Sequence, residues 1–531
     1  MKIFKLISFT MIILLVISCE DNLTELDNIG TQTADDYFND PENALAGLNS
    51  CYAALQDDEY FIYGDILSDD AIKGGSSLFD WADRQYLKDF NANSGNAASE
   101  GIWSLMYTGI VRSNEVINAI PNATFDEDLK SRIIGEAKFL RAYFYLRLVS
   151  LYGGVPLITG DLSVDDLAVP RSTEKDVFDL IKSDLDESIS VLPEKNEYAL
   201  SDLGRVTKGA AQMLKVRALM QETAFANNEV LASSTDYNVD LNAVWNEVFS
   251  LTSEIINSGQ YALANNFATI FEEEGENNVE SVFEVQHKQT NNEWGESVGN
   301  TTIVQMGNRD DWGWCFNLPT DALYNTYLTT DPRLFNTIYG QEFGILYGIP
   351  QTWDKQLWTL EDDSTKDFVS SCRLNRKYAL AKEDRASNHN NQDVNKRLMR
   401  YAEVLLAHAE AAYYVGQEGV ARNTINLIRS RAENSTMPLG SKEGQTNNYS
   451  YDALSGAKVP AITSTGEDLL LDIWKERRME LAMEGIRYFD IIRTGRLELL
   501  PNESNYRSHD GLLPIPVGDV NAFEIAQNKG Y

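Results

Sequence analysis

Residues 467–495 read EDLLLDIWKERRMELAMEGIRYFDIIRTG, a run without proline and with one internal glycine, Gly485. Leu471, Trp474, Leu481, Tyr488 and Ile492 recur at steps of three, four or their multiples, the spacing that lines one face of an α-helix. Thr465 or Ser464 is placed to cap its start, and Glu467 and Asp468 fall in the positive first turn. Arg493 and Arg496 sit at the negative end, where Gly495 provides a stop. The run predicts one helix of roughly 40 Å, at about 1.5 Å per residue. Arg478 falls within the apolar stripe, so a carboxylate must reach it from elsewhere in the chain.

Outward from this helix, the chain has 531 residues and is 43% hydrophobic, enough for a large helical body with a subdomain. Its 80 acidic and 45 basic residues give a net charge of -35, which argues against nucleic acid and anionic membrane surfaces as partners. Residues 1–18 form a targeting segment: Lys2 and Lys5 precede an apolar run, Leu6 to Ile17, too short to span a bilayer. It ends Val16-Ile17-Ser18-Cys19, which resembles a bacterial lipobox, so Cys19 is expected to be the mature N-terminus and to carry lipid. Glu20 and Asp21 follow in a polar tether, residues 19–40, and resemble the acidic export signal of lipoproteins that reach the outer cell surface. Cys51, Cys315 and Cys372 show no metal-ligand spacing and read as small buried residues.

Residues 41–264 form a mostly helical region, with helices expected over 42–55, 102–120, 131–152, 175–192, 205–226 and 241–258, and an irregular stretch over 56–98. Residues 265–395 are rich in loops and tryptophan, with a strand over 280–286 from alternating Val282, Phe283 and Val285. Helical order returns over 396–531: 397–414 and 420–432 form an αα-hairpin of the tetratricopeptide kind, without exact repeats.

Six segments together resemble the SusD/RagB family of outer-membrane lipoproteins. They are EAKFLRAYFYLRLVSLYGGVPLIT at 136–159, GRVTKGAAQMLKVRALM at 204–220, RLMRYAEVLLAHAEAAY at 397–413, LIRSRA at 427–432, ERRMELAMEGIRYFDIIRTGR at 476–496, and LLPIPVGDV with QNKGY at the end. The resemblance implies a mostly α fold: a tetratricopeptide-like scaffold of helix pairs with an irregular, loop-rich subdomain carrying the ligand face. It implies a non-enzymatic glycan-binding lipoprotein on the outer membrane, facing the exterior through lipid on Cys19. Its implied partner is a SusC-like TonB-dependent transporter that receives the captured nutrient. A surface glycoside hydrolase and a non-binding scaffold of the transporter are the alternatives.

Sugar rings present apolar CH faces, so a binding surface without catalysis wants exposed aromatic rings beside polar groups. The family's ligand face resembles two regions. The loop LSDDAIKGGSSLFDWADRQY, residues 67–86, supplies Asp70, Trp81, Arg84 and Tyr86; the segments EWGES and GNRDDWGW supply Trp294, Arg309 and Trp312. Trp314, in GW-x-x-N-x-P, resembles a scaffold element, and Trp353 and Trp358 fit either role. Glu476, Glu480 and Glu484 follow one another at steps of four, the pattern of ion pairs on a helix rather than of two carboxylates facing across a cleft. His408 reads as a packing residue, the acidic run Glu361-Asp362-Asp363 lacks calcium-loop spacing, and no cofactor or metal site is expected.

Overall fold

The computed structural model describes residues 34–56, 62–160, 169–227, 231, 237–289, 298–307, 313–340, 345–346, 349–350, 373–380, 385–388, 391–439, 450–500 and 510–531. The fold is mostly helical. Its principal helices are α1 (Pro41–Gln56), α2 (Ala82–Lys88), α3 (Ala97–Ala119), α4 (Glu127–Tyr152), α5 (Glu174–Val191) and α6 (Lys208–Asn227). They continue with α7 (Leu241–Asn257), α8 (Tyr401–Tyr414), α9 (Glu418–Glu433), α10 (Gly466–Glu480) and α11 (Arg487–Arg493).

Consecutive helices from α3 to α7 pack as neighbours, and α7 packs on α8, so the stack runs unbroken across the loop-rich middle of the chain. The starts of the helices are written in the sequence. Asn96, Asp126 and Asp240 side chains accept backbone N–H groups of the first turns of α3, α4 and α7, and Thr173 and Asp176 form a reciprocal capping box on α5. Helix α4 is the centre of the stack: Phe139, Phe144 and Tyr145 are buried on different sides of it, and from Gly135 onward only Lys138 and Arg147 are partly exposed. Arg141 of α4 forms a bidentate pair with Asp184 of α5 at 2.7 and 2.8 Å.

Four strands matter for the site: β1 (Ala71–Gly74), β2 (Ser281–Val285), β3 (Phe316–Pro319) and β4 (Lys396–Arg400). The strand expected at 280–286 is β2, but all five of its residues are buried, because both faces are covered. It pairs antiparallel with β4, Ser281 opposite Arg400 and Val285 opposite Lys396. The helix expected from 397 therefore starts at Tyr401; the preceding residues are committed to a ladder with β2. The irregular stretch over 56–98 also contains order, since β1 pairs antiparallel with β3 and α2 follows it.

The run at 467–495 is two helices. α10 ends at Glu480, Met483 and Gly485 adopt left-handed backbone at φ 64° and 73°, and α11 starts at Arg487. The buried face of α10 carries Leu469, Leu470, Ile473, Glu476, Arg477 and Glu480, whereas Leu471, expected in the core, is 48% exposed. Leu471 and Trp474 sit one position off the inward face of α10, which carries ionic groups beside Leu470 and Ile473, while Leu481, Tyr488 and Ile492 are buried as expected. Thr465 stands at the N-cap without a side-chain bond, and Ser464 Oγ donates instead to Asp472 at 2.6 Å.

Those inward ionic groups form one network. Glu476 pairs with Arg333 and Arg429; Glu480 with Arg333, Arg400 and Arg431; Glu484 with Arg400 and Lys377. All three glutamates are essentially buried. Burial pushes the Glu480 carboxyl up, but Arg431, Arg400 and Arg333 outweigh it and hold the group well below the usual carboxylate range. Glu484 lies beyond the end of α10, so the three acids reach the network from a helix and the turn after it.

Candidate ligand-binding site

The loop 67–86 is anchored to the scaffold at its base. Arg478 of α10 donates to Asp70 at 2.7 Å and contacts Asp69 at 2.8 Å, and Arg487 of α11 donates to Asp69 at 2.8 and 3.1 Å. The carboxylate that Arg478 requires is therefore supplied by the loop. Burial pushes the Asp70 carboxyl above its ordinary range against the pull of Arg478 and Arg487; at Asp69 burial is outweighed by Arg487 and Arg478, and that carboxyl lies low. Asp70 is fully buried. Read in the sequence as a ligand contact, it is an anchoring residue, since a side chain with no exposed surface cannot meet a glycan.

Above this base, Lys88 donates to the Ser68 and Ala71 carbonyls, both at 2.7 Å, holding α2 against the start of β1. Burial pulls its ammonium group down to about 7. Lys73 donates to the Ser77 carbonyl at 2.8 Å and the Asp80 carbonyl at 2.5 Å, and Asp80 Oδ2 accepts from Ser76 N and Oγ, both at 2.8 Å. The turn between them passes through Gly74 at φ 74°, where a Cβ would lie 2.0 Å from the Cys315 carbonyl oxygen. Only glycine permits that approach.

The loop presents aromatic rings. Trp81, at the N-cap of α2, has left-handed backbone at φ 53°, ψ 56° and is 42% exposed. The Arg84 guanidinium lies 3.5 Å from its ring centroid and 5.3 Å from that of Phe316, and donates to Gln305 Oε1 at 3.3 Å. Phe316 and Trp314 flank Trp81 at 5.3 and 6.3 Å between centroids. Arg84 is buried; expected to contact ligand, it props the Trp81 ring from within. Tyr86 is 47% exposed and Phe79, absent from the expected set, is 87% exposed. Phe79, Trp81, Tyr86 and Tyr414 are the exposed aromatic residues among the described residues, so three of the four lie within eight positions of one loop. The signal for Phe79 was in the sequence: a phenylalanine among Ser, Asp and Gly, outside any helical or strand period.

Asp65 joins β3, the partner strand of β1, to the turn after α10. Its carboxylate accepts from Asn317 Nδ2 of β3 at 3.1 Å and from Gly485 N, in the turn after α10, at 2.9 Å. Burial pushes this carboxyl up to about 8 despite those bonds. Close by, a Cβ on Gly64 would meet the Gly485 carbonyl oxygen at 1.8 Å, so the two backbones touch.

Trp294, Arg309, Trp312 and Cys19 lie outside the described residues, as do Trp353, Trp358, Cys372 and residues 361–363. Cys51 and Cys315 are buried, and burial pushes the Cys51 thiol up to about 12. His408 stacks on Phe249 at 4.7 Å and contacts Thr252 Oγ1 at 3.0 Å, and burial pulls its imidazole down to about 4. Among the described residues no group of His, Cys, Asp or Glu is arranged to hold a metal, and no helix is long and apolar enough to cross a membrane.

Two family models match the chain: one described as "SusD family" over residues 279–531 and one described as "Starch-binding associating with outer membrane" over residues 42–218. Among curated proteins, SusD-like protein P38 of Formosa agariphila is 27% identical over 515 residues, 93% of each chain. A SusD-like protein of Bacteroides ovatus is 22% identical over 93% of this chain and 83% of its own. Among solved structures, a laminarin binding SusD-like protein superposes with a TM-score of 0.73 at 25% identity, over 92% of this chain and 99% of that one. Surface glycan-binding protein A from Bacteroides thetaiotaomicron, in complex with laminarihexaose, gives a TM-score of 0.71 at 23% identity over the same shares.

Proposed function

The chain belongs to the SusD/RagB family, and from that premise we propose that it is a surface glycan-binding lipoprotein that takes up oligosaccharide on the shelf of Phe79, Trp81 and Tyr86. The observation that carries this reading is the concentration of exposed aromatic rings on one anchored loop. A pyranose ring stacked on such a side chain gains roughly 1 kcal/mol beyond the area it buries, so several rings in a row are needed for useful affinity. The left-handed backbone at Trp81 costs roughly 1–2 kcal/mol in a non-glycine residue, an expense that suits a side chain whose direction matters. Arg84, stacked behind the indole, stiffens it before ligand arrives.

In this reading the protein binds without chemistry. The acids of the α10 network are each ion-paired with buried cations, which commits their oxygens to the scaffold. Lipid on Cys19 holds the chain to the outer membrane, facing the exterior, and a SusC-like TonB-dependent transporter receives the glycan. The relatives named for laminarin guide the choice of probe. Titration of laminarihexaose into the chain by calorimetry is expected to give saturable binding, weakened at least about tenfold in the Phe79→Ala, Trp81→Ala double variant, which corresponds to about 1.4 kcal/mol. Unchanged affinity in that variant overturns the site.

A further inference from the structure

A half-open cleft of about 80 Å³ lies inside the scaffold, between α4, α6, β4 and the α10–α11 turn. None of its lining residues belongs to the loop 67–86. Its carboxylates are already committed. Glu403 accepts from Arg217 at 2.6 and 2.9 Å, Asp490 from Arg477 Nε and Arg493 Nε at 2.7 Å each, and Glu484 from Arg400 Nε at 2.8 Å and Lys377 at 2.6 Å. One of its cations is not. Arg477 is 4% exposed and spends Nε on Asp490 and Nη2 on Glu403, but Nη1 has no acceptor among the described residues. A guanidinium cannot shed its proton to escape this, and a buried donor without an acceptor is costly. Arg147, at the same cleft, holds its guanidinium 5.4 Å from the Phe489 ring centroid and 5.6 Å from that of Tyr143. The rest of the lining joins apolar side chains, Leu146, Leu214 and Met220 among them, with Ser150 and Gln221.

We propose that this cleft binds a short-chain carboxylate, its oxygens on the Nη1 edge of Arg477 and its alkyl part against Leu214, Met220 and Phe489. The sign follows from the lining: every acid is neutralised in place, and the spare donor is cationic. The size follows from the volume. Apolar cavities of about 150 Å³ hold benzene, so roughly half that space suits acetate or propionate. A ligand of about five heavy atoms reaches micromolar affinity at best, which sets the range to search. The proposal is independent of glycan binding on the shelf.

The test uses the full chain with ¹³C-labelled methionine methyl groups, the Met220 signal being assigned by its loss in Met220→Leu. Propionate is expected to shift the Met220 signal saturably, and propionamide, the neutral isostere, to do so at least about tenfold more weakly. In Ile486→Phe, which fills the cleft from its partly exposed turn, the propionate shift is expected to vanish while the other methionine signals stay in place. A Met220 signal that propionate leaves unmoved shows a cleft holding only water and overturns the proposal. An equal response to propionate and propionamide overturns it as well, because Arg477 is then not reading charge. Both results are read on the unsubstituted protein, with Met220→Leu needed only to assign the signal.

Discussion

Replacing Asp65 by Asn is expected to stabilise the protein, by an amount that grows with pH. The carboxyl is fully buried and pushed up from 3.8 to about 8, mainly by desolvation, with Asp70 adding to the push and Asn317, Gly485 and Lys377 opposing it. An acid whose folded-state pKa lies above its unfolded value stays protonated in the folded chain while the unfolded chain ionises. Stability is therefore intact below about pH 4, falls by about 1.4 kcal/mol per pH unit between roughly pH 4 and pH 8, and then levels. Removing the ionisation returns on the order of 0.6 kcal/mol at pH 4, 3 kcal/mol at pH 6 and 5 kcal/mol at pH 8. The asparagine can also fit: its carbonyl can keep the Gly485 N–H, and its amide can donate to Asn317 Oδ1 once the Asn317 amide, whose Nδ2 now faces Asp65, turns over. With about 2.1 cal/mol/K of unfolding entropy per residue, a chain of this length turns each kcal/mol into roughly 1 °C of Tm. Calorimetric scans of both proteins at pH 4, 6 and 8 are expected to diverge by about 5 °C at the highest pH and by less than about 1 °C at the lowest. Parallel Tm curves refute the reasoning, since they mean Asp65 ionises normally inside the fold.

Glu480→Gln keeps the shape of the side chain but leaves Arg333, Arg400 and Arg431 short of one buried charge. A loss of about 3–5 kcal/mol is expected, read as a Tm lower by several degrees at pH 7; an unchanged Tm means the network contributes nothing net. Gly64→Ala places a methyl group 1.8 Å from a backbone oxygen. Backbone has to move to admit it, so a cost of about 3 kcal/mol or more is expected, together with weakened laminarihexaose binding as Asp65 and the shelf shift; wild-type Tm and binding in this variant refute the contact.

Helices α1 and α3 to α7 were legible from local information, as with Thr173 and Asp176 before α5 and Gly153 at φ 73° after α4, whereas α2 lies in the stretch expected to be irregular. The break at 481–486 was not. A helical period continues through Gly485, and what bends the chain there is tertiary: the Asp65 carboxylate on Gly485 N and the backbone of Gly64 against its carbonyl. β4 was hidden likewise, since RLMR joins a ladder whose other half lies more than a hundred residues away. The site shows the same division. Trp81 and Tyr86 were visible as aromatics in a polar loop, but Asp70 and Arg84 were misread as ligand contacts because their true partners are Arg478 and the rings around Trp81. The need of Arg478 for a carboxylate and the presence of Asp70 were both apparent; no pattern connects residues 408 positions apart.

That separation also bears on how the chain reaches its fold. The contacts of Asp69 and Asp70 with Arg478 and Arg487 close a loop of more than 400 residues. The closing entropy of such a loop has to be met before the contact returns anything, while the helix pairs from α3 to α7 form from neighbours in sequence. Long-range contacts slow folding, so the helical stack is expected to assemble first and the aromatic loop to lock last. Until α10 and α11 are in place the loop lacks its anchor, so on the proposed reading the ability to bind glycan is expected to arrive last. In a refolding time course, helical circular dichroism is expected to recover well before the fluorescence of Trp81.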